Sequence, residues 1–297
     1  MRMYPSSVYF VPVIDISWEA FGPLNPAKNY SHTPPDLEQC ADQCLRILAL
    51  MKEFYGGKCA IAVHTGTYCR NGFHTEEFMK IWKSFEVGGG EILLHTHEEI
   101  AAVGTRNSDE DHMTHVITAQ HAALKKNGIN PAGYRGGLYG YASFLTPLLE
   151  KLHVHIDLSA APGVERPDRA ALWKEIPFSG FYLNRNNTSK PKASEQSAVF
   201  EIPLGASGMG DDNLDLLYVD YPKASLESLA GIWDVIIKRA RNEGSQYIHT
   251  LFHSFSADIP VNVERYKRFI DYSYKNHGHA LNASEMKRKY DEKEGVQ

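Results

Sequence analysis

The stretch Gly90–Glu99, GEILLHTHEE, combines a short apolar run with an abrupt polar end. A triple glycine ending at Gly90 leads into the apolar residues, which is typical of a turn followed by a short buried strand. On an extended strand alternate residues share a face, so His95 and His97 point to the same side. If a helical turn follows His95 instead, His95 and Glu99 share a face at the i, i+4 spacing. Both geometries predict a metal-binding cluster at this strand end, with His95 as the common ligand.

The composition is that of an ordinary globular protein. The 297 residues are 43% hydrophobic and 23% charged, enough for one α/β domain or two smaller ones. The formal net charge of −5 argues against nonspecific binding of nucleic acid and favours a small or locally recognised substrate.

No export signal or membrane segment is evident in the sequence. No run approaches the roughly 18 apolar residues of a membrane helix, and the N-terminus lacks an apolar segment with a cleavage site. The four cysteines have no CxxC spacing, which predicts reduced thiols rather than a disulfide scaffold. We therefore expect a cytoplasmic protein with no membrane span and no nucleic-acid partner.

The chain alternates strand-like and helix-like segments, with a loop-rich insertion from Pro162 to Asp212. Repeated βα units favour parallel strands with helical crossovers, either in a closed barrel or in an open doubly wound sheet. The predicted strands are Val8–Ile14, Cys59–His64, Ile92–His95, Ala132–Arg135, Val154–Asp157, Leu172–Ile176, Val199–Ile202 and Tyr247–Phe252. The predicted helices are Leu37–Tyr55, Thr75–Phe85, Met113–Lys126, Ser143–Leu152, Ser225–Asn242 and Val261–Asn276.

Ionisable residues lie at or near the carboxyl ends of five predicted strands: Asp15, His95, Arg135, Asp157 and His253. In both α/β architectures the chemistry gathers beyond these strand ends, so the five side chains are expected at one rim. Taken singly, the aspartates could be caps and His253 a core histidine. Arg135 is flanked by glycines and can bind a carboxylate through two bonds, so we expect it to pair with Asp15 or Asp157.

Five short motifs occur along the chain in a fixed order. They are Val13–Asp15 (VID), Glu91–His97 (EILLHTH), Tyr134–Gly140 (YRGGLYG), Ile156–Ser159 (IDLS) followed by Pro162–Gly163, and Thr250–Ser254 (TLFHS). Together they resemble the motifs of the polysaccharide deacetylase family, the NodB-homology carbohydrate esterases of family 4. The resemblance covers nearly the whole chain, from Val8 to Asn276.

This resemblance implies a distorted (β/α)7, TIM-like barrel in a single domain, here residues 8–285, followed by a charged tail at 286–297. It also implies a divalent metal, commonly Zn²⁺, held by one aspartate and two histidines. The metal polarises an N-acetyl carbonyl and activates water, while an aspartate acts as base and a histidine as acid.

Carried over to this chain, the resemblance assigns a role to each matching residue. Asp15 falls on the first motif, His95 on the first histidine ligand, and Arg135 on the arginine that orients the catalytic aspartate. His253 falls on the acid, and Asp157 matches the fourth motif in a supporting role.

Two departures from the family pattern affect the ligand set. The first motif usually has two adjacent acids, but here Asp15 is followed by Ile16, and Glu19 is the only nearby second carboxylate. Asp15 would therefore serve as base or as ligand. The second histidine ligand normally follows the first by four residues, where this chain has Glu99, whereas His97 resembles a His-x-His variant.

The sequence thus predicts a metal-dependent hydrolase that cleaves the N-acyl, in particular N-acetyl, amide of an amino sugar. Its expected substrate is a nucleotide- or lipid-linked precursor of a surface polysaccharide, such as an O-antigen or a capsule. One alternative is a sugar-binding protein with the deacetylase fold that has lost hydrolysis. Another is an amidohydrolase-like metal barrel, which is disfavoured because its His-x-His pair ends the first strand.

Overall fold

Buried apolar strands form the centre of the molecule, and helices connect them. The computed structural model describes residues 7–17, 36–64, 72–100, 104–185, 195–209 and 213–295, with backbone only at Glu99 and Ile100. The strands are β1 (Val8–Asp15), β2 (Ala60–His64), β3 (Glu91–Thr96), β4 (Glu99–Ile100), β5 (Gly104–Thr105), β6 (Gly133–Gly136), β7 (Ile156–Asp157), β8 (Glu165–Arg166), β9 (Ala171–Leu172), β10 (Phe181–Asn184), β11 (Gln196–Glu201), β12 (Gln246–His253) and β13 (Gly278–Ala280). The helices are α1 (Leu37–Tyr55), α2 (Glu76–Val87), α3 (Glu110–Lys126), α4 (Leu145–Lys151), α5 (Leu226–Glu243), α6 (Pro260–Lys275) and α7 (Ala283–Glu294).

The main sheet has the strand order β10-β11-β7-β6-β3-β2-β1-β12, with β13 beside β1. Its neighbouring strands are parallel except for the antiparallel pair β10 and β11. The chain that follows β11 runs along the free edge of β12, where His249 N donates to Pro203 O and Gly205 N donates to His249 O, both at 2.9 Å. These bonds curl the sheet back onto itself and confirm the predicted distorted (β/α)7 barrel.

The barrel interior is lined by small and branched residues. Val11, Val13, Ala62 and Leu93 belong to one buried cluster, in line with the alternation of side chains along each strand. Met286 on α7 joins this cluster, and Ser284 N donates to Glu91 at the start of β3. Helix α7 therefore closes the amino end of the barrel and leaves the carboxyl end as the rim.

The helices begin and end where their sequences provide caps. Helix α1 begins after Asp36, whose carboxylate accepts a hydrogen bond from Gln39 N at 3.0 Å, and ends at Gly56 in the left-handed conformation. Helix α5 begins with a capping box between Ser225 and Ser228. In the described part of the chain, no helix is both long and apolar enough to cross a membrane.

The region predicted as a loop-rich insertion differs from the sequence-based expectation. The insertion predicted at Pro162–Asp212 contains the barrel strand β11, so the predicted strand Val199–Ile202 is part of the barrel. The predicted strand Leu172–Ile176 is reduced to β9, which pairs with β8 in a small hairpin. The polar segment 186–191 lies outside the described residues.

The charged tail expected after Met286 is helical as far as Glu294. A capping box between Asn282 and Glu285 begins helix α7, and the burial of Met286 anchors it. The predicted tail therefore forms most of a helix as far as Glu294, and the domain boundary at residue 285 stays a prediction.

Candidate active site

A row of polar side chains follows the carboxyl ends of neighbouring barrel strands. In the strand register Asp15 lies opposite His253, His64 opposite His95, and His95 opposite Arg135. Because these strands are parallel and adjacent, residues at the same level come together at one rim. Asp15 itself lies opposite Ala62, two residues before His64, so the side-chain contacts of Asp15, and not the register alone, bring Asp15, His95, Arg135 and His253 together at the rim as predicted.

Asp15 is at the centre of this row. Arg135 Nε donates to Asp15 Oδ1 at 2.6 Å, which is the pairing expected from the sequence. Asp15 Oδ2 lies 3.8 Å from His95 Nε2 and 3.9 Å from His253 Nε2. Burial alone would raise the pKa of Asp15, but the charges of Arg135 and His253 and the hydrogen bond from Arg135 hold that pKa well below its usual range. The carboxylate therefore stays ionised near neutral pH.

His253 is held by a second carboxylate, that of Asp220. His253 Nδ1 lies 3.2 Å from Asp220 Oδ1, and the His253 backbone N–H donates to Asp220 Oδ2 at 3.0 Å. Ser256 Oγ also donates to Asp220 Oδ2, at 2.5 Å. Burial lowers the pKa of His253, but Asp220 and Asp15 together raise it above its ordinary value. The imidazole therefore favours the protonated form and directs Nε2 towards Asp15.

His95, His97 and His64 form a compact group of buried imidazoles. The rings of His64 and His97 stack at 4.5 Å with an interplanar angle of 7°, and His95 lies edge-on to both. His95 Nδ1 lies 2.9 Å from the carbonyl oxygen of Arg135, which can only accept, so Nδ1 carries the hydrogen. Burial lowers the pKa of His95 to about 3, so His95 is neutral with a bare Nε2. That atom is buried and has no hydrogen-bond partner among the described residues.

Arg135 is fixed by several partners besides Asp15. Its Nη1 donates to Leu158 O at 2.6 Å and lies 3.2 Å from His249 Nε2. His249 Nδ1 lies 2.7 Å from Ile202 O, so Nδ1 carries the hydrogen and Nε2 accepts from Arg135. Burial lowers the pKa of His249 to about 3 and keeps it in this neutral state. The orientation of the guanidinium is thus determined on several sides.

The glycine after Gly136 permits the close approach of the Arg135 loop to His97. A Cβ atom at Gly137 would lie 2.3 Å from Thr96 O and 2.7 Å from the His97 ring. Such contacts require glycine, because no side chain fits between the two segments. Gly137 therefore serves the packing of the histidine group.

The remaining predicted site residues are placed differently. Asp157 lies at the end of β7, where Ser159 Oγ donates to Asp157 Oδ1 at 2.6 Å, and of the two carboxylates expected for Arg135 it is Asp15 that accepts from Arg135 Nε. Glu99 lies in the short strand β4, so the backbone does not form the helical turn that would place Glu99 on the same face as His95. The Glu99 side chain and the whole of Glu19 lie outside the described residues.

Sequence reasoning missed four residues of this region: His64, Asp220, His249 and Glu201. His64 had the same signal as the others, an ionisable residue ending a predicted strand. His249 had only a shared strand face with His253. Asp220 follows an irregular segment, and Glu201 lies inside an apolar strand, so neither had a local pattern that marks a site.

Solved structures resemble this chain over nearly its whole length. A protein of Mycobacterium smegmatis assigned as a polysaccharide deacetylase aligns at 16% identity and a TM-score of 0.61, covering 99% of this chain and 93% of that one. A protein of Pseudomonas aeruginosa with the same assignment aligns at 11% identity and a TM-score of 0.53, covering 98% and 93%. The chain has the polysaccharide deacetylase fold.

An allantoinase shares this fold with the chain at 14% identity and a TM-score of 0.55, covering 96% of this chain and 90% of that one. No family model and no curated protein sequence matches the chain. At these identities the likeness establishes the deacetylase fold, and the reaction has to be argued from the site.

The metal expected for a deacetylase fold can be tested against the donors present. The bare Nε2 of His95 and the nearby Oδ2 of Asp15 are donor atoms of the kinds that Zn²⁺ prefers. Within the described ranges, no group of three or more His, Cys, Asp or Glu side chains is placed to hold a metal ion together. The described residues therefore supply two donor atoms of a suitable kind, on Asp15 and His95, and no complete ligand set, so the metal stays a prediction.

Asp220→Asn is expected to lower the pKa of His253, because the neutral amide no longer stabilises the imidazolium charge. A titration of the His253 ring followed by NMR would measure the change. Asp168→Asn, which removes the charge of an exposed aspartate, should leave the titration unchanged. An unaltered His253 titration in Asp220→Asn would show that the two groups are not coupled.

Proposed function

We propose that this chain is a hydrolase of the deacetylase type that cleaves the N-acyl amide of an amino sugar. The observation that carries the proposal is the placement of Asp15 and His253 on adjacent strands, with their pKa values shifted in opposite directions. Two neighbouring groups with such shifts are suited to act as base and acid near neutral pH. Each has its own positioning partner, Arg135 for Asp15 and Asp220 for His253.

The proposed reaction is the hydrolysis of an amide by water. Asp15 accepts a proton from the attacking water as the oxygen bonds to the acyl carbon. The C–N bond then breaks, and His253 donates the Nε2 proton to the departing amine nitrogen. The products are a carboxylic acid and the free amino sugar.

We further propose that a divalent ion, Zn²⁺ by resemblance, is held by Asp15, His95 and a third ligand from His97 or Glu99. When bound, such an ion polarises the acyl carbonyl and lowers the pKa of bound water towards ~7. His97 is the preferred third ligand because it shares the strand face of His95, with ring centroids 4.9 Å apart. If Asp15 is a ligand, it is not free to be the base as well, and the two roles of this residue remain alternatives.

Purified protein is expected to carry about one divalent ion per chain, and His95→Ala should lose it because the site would lack an imidazole ligand. Elemental analysis after dialysis measures this without any turnover. His115→Ala, an exposed histidine of α3, is the matched control and should retain the ion. Retention of the ion by His95→Ala would contradict the assignment, and loss in Glu99→Ala but not in His97→Ala would make Glu99 the third ligand.

Partly exposed aromatic rings beside the acid favour a sugar substrate. The rings of Tyr218 and Phe255 each lie 5.2 Å from the His253 ring. Aromatic faces can pack against the apolar face of a sugar while polar groups at the centre contact its amide. We propose that this sugar is part of a nucleotide- or lipid-linked precursor of a surface polysaccharide, and that the protein acts on it in the cytoplasm.

Release of acetate from a set of N-acetylated amino sugars, free, nucleotide-linked and oligomeric, tests the proposed function. Wild-type protein loaded with Zn²⁺ should release acetate from at least one member of the set. Asp15→Asn, purified and loaded in the same way, should be inactive on that compound. Release at equal rates by both proteins would contradict the proposed chemistry.

A second candidate is a sugar-binding protein that has lost hydrolysis. It is favoured by the sequence Asp15-Ile16, which supplies one acid where two are usual, and by the bond from Arg135 that occupies Asp15 Oδ1. This candidate predicts binding of the same sugars, measured by calorimetry, without release of acetate.

A further inference from the structure

Two carboxyl groups, those of Asp157 and Glu201, lie side by side beneath Arg135. They are opposite each other in the parallel pairing of β7 and β11, and both residues are fully buried. Asp157 Oδ1 accepts from Ser159 Oγ at 2.6 Å, and Glu201 Oε1 accepts from Ala160 N at 3.1 Å. Each carboxyl thus uses one oxygen to hold the segment that follows β7.

The second oxygen of each group has no donor in the described part of the chain. Asp157 Oδ2 and Glu201 Oε2 are buried and receive no hydrogen bond from any other described residue. Two ionised carboxylates in this position would repel each other, and their second oxygens would stay buried without a donor. The hydrogen bond that remains open to them is the one between the two groups, which requires that one of them carries a proton.

The segment held by this pair also holds Arg135 and its neighbour. Leu158 O accepts the Nη1–H bond of Arg135 at 2.6 Å, and Ser159 Oγ accepts from Gly136 N at 2.7 Å. A continuous series of contacts therefore runs from Glu201 and Asp157 through Leu158 and Ser159 to the guanidinium that binds Asp15.

We propose that Asp157 and Glu201 share one proton and together form a positioning pair that holds Arg135 against Asp15. This inference deepens the proposed function, on which it rests for the role of Asp15. Neither carboxyl touches the reacting groups, so both act through Arg135.

The proton belongs mainly to Glu201. Burial and the neighbouring Asp157 raise the pKa of Glu201 well above its ordinary value. Burial also raises the pKa of Asp157, to about 6, while hydrogen bonds from Glu201 and Ser159 limit that rise. Arg135 favours the ionised form of both groups, and the nearby phenols of Tyr134 and Tyr141 have raised pKa values and stay neutral.

This shared proton makes stability depend on pH in a defined direction. In the unfolded chain Glu201 ionises above its ordinary pKa of 4.5, whereas the fold retains the proton. The contribution of Glu201 is therefore fully present below pH 4.5 and is lost as the pH rises towards its folded pKa. Glutamine mimics the protonated glutamate, since its amide can donate to Asp157 and its carbonyl can accept from Ala160 N.

The test compares the melting temperatures of wild type and Glu201→Gln from pH 5 to pH 8. The melting temperature of Glu201→Gln should rise relative to wild type by at least about 3 °C across this range. Glu285→Gln is the matched control. Burial would raise the pKa of Glu285, but bonds from Lys58 and Asn282 N lower it below its ordinary value of 4.5, so its contribution is constant above that pH. The difference in melting temperature between this variant and wild type should therefore not change from pH 5 to pH 8.

Two further readouts test the proton and the positioning separately, and neither needs turnover. Infrared spectra at pH 7 should show a protonated carboxyl band in wild type that Glu201→Gln lacks. Hydrogen exchange at Arg135 Nε–H, followed by NMR, should be at least about tenfold faster in Glu201→Ala and in Ser159→Ala, and unchanged in Glu201→Gln.

A merely structural role for Glu201 would affect Gln and Ala variants alike and would not single out Arg135. Parallel melting curves of wild type and Glu201→Gln at every pH, or the same infrared band in both, would overturn the shared proton. Unchanged exchange at Arg135 in both Glu201→Ala and Ser159→Ala would overturn the positioning role. Because these measurements use protein without substrate, they can refute the positioning pair while the proposed function stands. Equally, the acetate-release experiment can refute the proposed function while the positioning pair stands.

Discussion

Replacing Arg135 by methionine is expected to lower the free energy of unfolding by about 3–5 kcal/mol, because removing one partner of a buried ion pair leaves an uncompensated charge. The side chains of Arg135 and Asp15 are only 3% and 5% exposed, so water cannot replace the lost partner. The variant also leaves Leu158 O and His249 Nε2 without their donor. Urea denaturation at pH 7 in the presence of a chelator measures the change.

The matched control is Arg46→Met on the protein surface. Arg46 pairs with Asp258, and their side chains are 44% and 30% exposed, so this change should cost less than about 1 kcal/mol. Arg135→Lys should recover little of the loss, since a lysine cannot reproduce the set of directed bonds. A cost for Arg135→Met as small as that for Arg46→Met would show that the pair does not organise the rim.

The Arg135→Met deficit should also depend on pH. Arg135 holds the pKa of Asp15 below its ordinary value of 3.8, so the pair contributes stability above that pH and loses it as the pH falls towards the folded pKa. The difference between the two proteins should therefore be smaller at pH 3 than at pH 7.

Replacing His253 by alanine is expected to lower kcat by on the order of 10²-fold or more, which is the usual contribution of a general acid. The loss should appear in kcat with the bound metal retained, because His253 is proposed as the acid and not as a ligand. Acetate release from the best substrate of the N-acetylated set measures it. A folded, metal-loaded variant with undiminished turnover would end the assignment of His253.

His115→Ala is the matched control for this experiment, because it also removes an imidazole, but from an exposed position on α3. It should leave kcat unchanged. If His253→Ala instead reduces the melting temperature and leaves kcat intact, the residue is a packing group of the barrel.

Regular periodicity made most of the barrel predictable from the sequence. The helix Leu37–Tyr55 was predicted at the bounds observed, because its caps and its apolar stripe agree. The parallel strands, such as β2, are short continuous runs of buried apolar residues, and such runs can be recognised in a sequence. The strand β11 was harder to assign to the barrel because the segments around it are irregular. Helix α7 was missed because its sequence is mostly charged and only a few of its residues are buried.

The candidate site was predictable where a residue ends a regular strand. This rule found Asp15, His95, Arg135 and His253, each of which is the last or the second-last residue of a barrel strand. It could not find Asp220 or Glu201, because these residues reach their partners through tertiary contacts over 33 and 44 residues of sequence. Residues that position a catalytic group have no local pattern, since their partners are distant in the chain.

At one and the same pH, Asp15 is proposed to be an ionised base and His253 a protonated acid. Ring nitrogen and carboxyl carbon NMR of the wild-type protein, followed from pH 4 to pH 9 without metal or substrate, tests this pairing most directly. His253 should titrate above its ordinary pKa of 6.5 while Asp15 stays ionised throughout. A neutral His253 ring at pH 6, or a protonated Asp15 carboxyl in this range, would show that the two residues are not such a pair.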